Sequence, residues 1–100
     1  MDPIRKIHDL ARSDGRYAAE AFLFVFRALE SAATERGHEG GKGHVTGREL
    51  LEAVRLLGKK EFGYLARTVF ETWGVKTTRD FGEIVFLLVR ENLMGKNEED

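Results

Sequence analysis

The stretch GHEGGKGHVTG, Gly37 to Gly47, places five glycines, one lysine and two histidines in eleven positions. These are the residue types of a phosphate-binding loop or of a metal clasp. A phosphate loop needs four residues between its first glycine and a Gly-Lys-Ser/Thr ending, so that backbone amides wrap the phosphates and the hydroxyl holds magnesium. Here Gly37 is followed by only three residues before Gly41-Lys42, and Gly43 stands where the hydroxyl residue belongs. The segment also follows a helical pattern rather than a strand, so the phosphate reading fails on spacing, ligand and context. As a metal clasp it offers His38, Glu39 and His44 on a glycine-rich tether that would lose much conformational entropy on being fixed. An inter-helix connection is the expectation, with no metal and no cofactor.

Catalytic chemistry finds little else to use. The chain has no cysteine, which removes thiolate nucleophiles, zinc-thiolate sites and disulfides together. Its serines, Ser13 and Ser31, lack an elbow-like context, and His8 lies among Ile4, Ile7 and Leu10 as a structural histidine would. Most helical acids have a base three or four residues away, as in Arg67 with Glu71 or Glu52 with Arg48 and Arg55, the pattern of a solvated face. No carboxylate pair is marked by apolar surroundings as acid and base, and the chain is read as a non-enzyme.

The elements that hold these residues are helical throughout. Asp2-Pro3 suits a cap and first turn, giving a helix to about Ser13 that Gly15 ends. RYAAEAFLFVFRALESAATERG then runs without a breaker to Gly37, its alanines favouring helix over strand. TGREL at Thr46 and TTRDF at Thr77 each place a threonine three residues before an acid, the capping-box pattern, with Asp80 the shorter and weaker of the two acids. The first opens a helix to about Leu57 that Gly58 can end, the second a helix to about Leu93 that Gly95 can end. Between them EFGYLARTVFETWG forms a short helix closed by Gly74. The fold class is therefore all-α, a compact single domain of about five helices over residues 1–95, followed by an acidic flexible tail at 96–100.

Projection at about 100° per residue sorts the faces. Leu50, Ala53, Val54 and Leu57 oppose Arg48, Glu52, Arg55 and Lys59. Phe62, Leu65, Ala66, Val69, Phe70 and Trp73 oppose Tyr64, Arg67, Thr68 and Glu71. The last helix is apolar nearly all round, with Phe81, Ile84, Val85, Phe86, Leu87, Leu88, Val89 and Leu93, as a central helix or a partner-covered one would be. The long second helix carries two apolar stripes. One is Phe22, Val25, Phe26, Leu29 and Ala33. The other is Tyr17, Ala21, Phe24 and Ala28, a face that another helix of the domain or a partner helix must cover.

Those surplus faces point to protein contact, through Tyr17, Ala21, Phe24, Ala28, Phe86 and Leu87, with a protein partner or in a homo-oligomer. Nucleic acid is the less favoured alternative. Lys42, Arg48, Arg55, Lys59 and Lys60 outnumber Glu49 and Glu52 by three charges, which makes Arg48, Arg55, Lys59 and Lys60 the candidate contacts. The turn that follows is not that of a helix-turn-helix, however, and Arg67 is alone on the next polar face. A net charge of −1 over the chain gives no global field toward polyanions. The longest apolar runs, AFLFVF and IVFLLV, are six residues long, far short of a membrane span, and the N-terminus has no signal-peptide core. A cytoplasmic protein is expected.

The segments VTGRELLE, FGYLARTVFETWGV and DFGEIVFLLV, and more loosely YAAEAFLFVFRALE, resemble a family of short bacterial proteins of planctomycete and verrucomicrobial type with no established activity. The resemblance implies a compact domain and brings no catalytic residues. Relatives tend to continue into an acidic, aromatic-containing tail. Three further glycine readings stand on local physics alone. Gly74 suits a left-handed helix end with Val75 folding back, Gly63 suits a bend, and Gly82 implies close approach of another backbone or a tolerated surface position.

Overall fold

A computed structural model describes residues 3–35 and 46–91. Its helices are α1 (Pro3–Asp14), α2 (Ala19–Glu35), α3 (Gly47–Phe62), α4 (Ala66–Thr72) and α5 (Thr78–Arg90), with a 3₁₀ turn at Gly63–Leu65 between α3 and α4. There is no strand among the described residues, so the all-α expectation holds. The separate rods among the described residues number four, not the expected five or so, because α3, the turn and α4 are continuous. Gly58 does not end α3; helical backbone continues through Phe62 and the 3₁₀ turn into α4, bent at Gly63 with φ +60°. The expected stretch 36–45, the tail at 96–100 and the helix end at Leu93 and Gly95 lie outside the described residues.

Local chemistry sets the other ends. Thr46 accepts from the Glu49 amide at 3.1 Å while its own amide donates to the Glu49 carboxylate at 2.9 Å, which fixes the start of α3. Gly74, at φ +95°, closes α4. Its amide donates to Glu71 O at 3.0 Å and the Val75 amide to Phe70 O at 2.9 Å, the paired bonds of a Schellman end. Val75 is buried as a result.

The centre of the fold is α2, not α5. It packs against α1, α3 and α5; of its first stripe Phe22 and Val25 are buried and Phe26, Leu29 and Ala33 half-buried, while the second, with Tyr17 just before the helix, is covered within the chain. Tyr17, Ala21, Phe22, Phe24, Val25 and Ala28 are all buried. Phe24 is 2% exposed, with ring centroids of Phe62, Phe70 and Trp73 at 5.9, 5.3 and 5.6 Å. The expected partner face at Tyr17, Ala21, Phe24 and Ala28 is therefore core, because α3, α4 and the corner after α4 fold over it. Leu87 is buried too, with Phe81, Ile84 and Leu88, while Phe86 is 61% exposed. The last helix is one-sided rather than wrapped.

One further expectation changes, and one pair of alternatives is decided. Leu65, placed with the apolar arc, is 56% exposed, because the 3₁₀ turn breaks the 3.6-residue period there. A Cβ on Gly82 would meet nothing within 4 Å, so Gly82 is a surface position. The close approach occurs instead at Gly58, where a Cβ would lie 2.9 Å from the Phe70 ring, and at Gly74, where it would lie 2.5 Å from Arg16 O.

That last contact belongs to a clasp between two corners. The Ala18 amide donates to Trp73 O at 3.0 Å, Gly74 sits on the Arg16 backbone, and the Tyr17 hydroxyl donates to Asp80 Oδ1 at 2.7 Å. Arg16 in turn lies 3.7 Å from Glu83 and 5.2 Å from the Tyr17 ring centroid. The α1–α2 corner thereby fixes where α5 begins.

Candidate interaction groove

The capped start of α3 sets the rotation of its outer face. Arg48, Leu51, Glu52 and Arg55, at successive steps of three, one and three residues, fall on one side. Opposite them stands the first turn of α5, with Thr78 and Phe81. Its position is set by Asp80, whose Oδ2 accepts the amides of Lys76 and Thr77 at 2.8 and 3.0 Å and whose other oxygen accepts the Tyr17 hydroxyl. Sequence alone ranks this cap as the weaker one; it is the more heavily used.

Between these walls lies a groove of about 620 Å³, with Val54, Phe70 and Phe81 below Arg48, Leu51, Glu52, Arg55 and Thr78. A second recess of about 250 Å³ meets it at Phe70, Thr78 and Phe81, and extends past Val75 to Arg67, Glu71 and Lys76. The floor is apolar and the rim is charged. Both acids on the rim are already engaged: Glu52 with Arg55 at 3.0 Å and Glu71 with Arg67 at 3.8 Å. Arg48 and Lys76 are exposed and form no ion pair with a described residue. The uncommitted charge of the groove is thus positive, one cation in each recess.

The titratable pair nearby does not suit proton transfer at neutral pH. The Tyr17 phenol is pushed up to about 12, first by burial and then by its bond to Asp80. The Asp80 carboxyl is held below the ordinary carboxylate range by the Tyr17 hydroxyl and the Lys76 and Thr77 amides. One stays protonated and the other ionised, which fits a pair that holds a corner. No group of three or more metal-ligating side chains is present among the described residues. His38, Lys42, Glu39 and His44 lie outside them, and His8, Ser13 and Ser31 are exposed and apart from the groove.

No protein-family model, no curated protein and no solved structure matches the chain. The surface itself therefore carries the functional argument. No helix among the described residues is long and apolar enough to cross a membrane. Of the residues singled out in the sequence, Arg48 and Arg55 line the groove, while Lys59 and Lys60 are exposed further along α3. Phe86 lies elsewhere, beside Arg79, Gly82 and Glu83 on the outer face of α5. Sequence reading missed Thr78, Lys76, Phe70 and Phe81 as site residues. The Thr77 cap marks where Phe81 must enter the fold, but nothing local says that Arg48 will face it.

Proposed function

We propose that this domain works by protein contact in the cytoplasm, as an adaptor, regulator or homo-oligomeric module, and that its contact surface is the groove between α3 and α5. The supporting observation is a groove in which half-buried Leu51 and Phe70 lie over buried Val54 and Phe81, edged by charged groups. Apolar recesses of several hundred Å³ with a few polar groups at the edge are the usual form of binding sites. An all-helical chain with no strand edge among its described residues takes partners in such grooves rather than by strand addition. The Tyr17 and Phe24 face plays no part, since its burial removes it from any partner.

Photo-crosslinking tests this reading. A benzophenone side chain at Leu51 should give discrete protein adducts in a lysate of the protein's own cells, while the same group at exposed His8 on α1 should not. Equal ladders from both positions would overturn it. An adduct at twice the chain mass, matched by light scattering of the purified protein over a concentration series, would identify the homo-oligomeric form.

Nucleic acid is the second reading, favoured by the line of Arg48, Arg55 and Lys59 on the exposed side of α3, with Lys60 beside it. It predicts duplex binding that falls steeply with salt and weakens on reversing Arg55 and Lys59 to glutamate. Absence of binding at low salt would remove it.

A further inference from the structure

We infer that the groove receives a short acidic amphipathic helix of a partner protein, its apolar side chains seated against Phe70 and Phe81 and a carboxylate at each end meeting Arg48 and Lys76. The inference rests on the interaction reading above and supplies the chemistry of the partner. Charge complementarity carries it. Four cations and two acids edge the paired recesses, and the acids already hold Arg55 and Arg67. What remains to be matched is Arg48 on one side of the Phe70–Thr78–Phe81 junction and Lys76 on the other.

The placement of these two cations is not explained by helix stability. Arg48 lies in the first turn of α3 and Lys76 immediately before the Thr77 cap of α5. Positive charge at a helix N-terminus opposes the dipole, where an acid would be favourable. Each helix start instead holds its own carboxylate, Glu49 or Asp80, bound to the cap amide, with the cation beside it, and both starts open on the same apolar junction. A ligand with carboxylates flanking two or three apolar anchors satisfies both features. The exposed Phe86 face offers no such preference, since Arg79 and Glu83 beside it carry opposite signs.

The geometry also limits the form of the ligand. Apolar anchors at i, i+3 and i+4 present one side of a helix while acids before and after them fall near its ends. A nucleic acid supplies phosphates but no apolar side chains for the floor, and it becomes a distinguishable outcome of the test.

The test uses the full chain and three capped, leucine-faced helical peptides that differ only in their flanking residues, Glu, Gln or Lys. Binding is read from amide shifts of Leu51, Phe70, Thr78 and Phe81 and from peptide fluorescence anisotropy. Two exposed ion pairs together change affinity by about fivefold to tenfold, so the Glu peptide should bind that much tighter than the Gln peptide, with the Lys peptide weakest. High salt should compress the order. The double variant Arg48→Glu/Lys76→Glu should invert it without loss of the fold, because both substitutions suit their helix ends. Equal affinities for all three peptides at the groove would overturn the acidic partner and leave the interaction reading standing. Failure of all three to shift the groove amides would also overturn the proposal, and the interaction reading would then stand or fall on the crosslinks from position 51. Groove shifts caused by duplex DNA alone would favour the nucleic-acid reading over both.

Discussion

Tyr17 is the side chain whose role changes most between sequence and structure. Beside Ala21, Phe24 and Ala28 it reads as part of an apolar stripe that needs cover, and its hydroxyl plays no part in that reading. In the fold the ring is core and the hydroxyl reaches Asp80, which already accepts two backbone amides. The Asp80 carboxyl is lower in the folded than in the unfolded chain. Its contribution is therefore full above the ordinary carboxylate range and drains away as pH falls through and below it. The raised Tyr17 phenol acts at the other extreme, adding stability below pH 10 that is lost as pH rises toward about 12. Tyr17→Phe is expected to cost about 1 kcal/mol at neutral pH and to make acid unfolding less steep, measured by urea melts over a pH series. An unchanged acid limb would show that Asp80 is held by its amides alone.

At the scale of elements, the caps and the Gly63 bend were legible and the packing glycines were not. Thr46 with Glu49, Gly15 and Gly74 stand where local rules place helix ends, because capping depends on residues within one turn. Gly58 stands where the same rules would stop α3, yet the helix continues. Its missing Cβ makes room for the Phe70 ring, a requirement set by a residue in another helix. Gly82 reads equally as a packing or a surface glycine, and it faces open space. The two helix-end and helix-interior cases give opposite expectations for one substitution. Gly74→Ala forces a side chain into the left-handed region and against Arg16 O, and should cost about 2–4 kcal/mol. Gly82→Ala should stabilise by up to about 1 kcal/mol through helix propensity. Thermal and urea melts of the pair check both signs.

For the whole molecule, the informative feature is that one helix, α2, is covered on several sides. Periodicity recovers its two stripes but cannot say what lies on them, since neighbours of α2 come from α1, α3 and α5. That is why the sequence offers Phe24 as a contact residue and α5 as a central or partner-covered helix. It is also why the groove was illegible: Arg48 and Lys76 are far apart in the chain and meet one surface only after α4 and α5 have docked. Phe24→Asp buries a carboxylate among Phe62, Phe70 and Trp73 and should unfold the domain, seen as loss of far-UV helical signal. Retained helix with lost association would restore the interface role.

The corner clasp has a consequence for time as well as for shape. Its Tyr17–Asp80 bond spans 63 positions of sequence, so the chain must close a long loop before that contact is rewarded. Neighbouring helices such as α1 with α2, and α3 with α4, can pair before it. A bond absent at the barrier affects escape from the folded state and leaves entry into it unchanged. Tyr17→Phe should then speed unfolding about fivefold for about 1 kcal/mol lost, with the refolding limb of the chevron unmoved. A slowed refolding limb would place the clasp in the nucleus. The lifetime of the folded domain would then depend on the same corner whose Asp80 positions one wall of the groove.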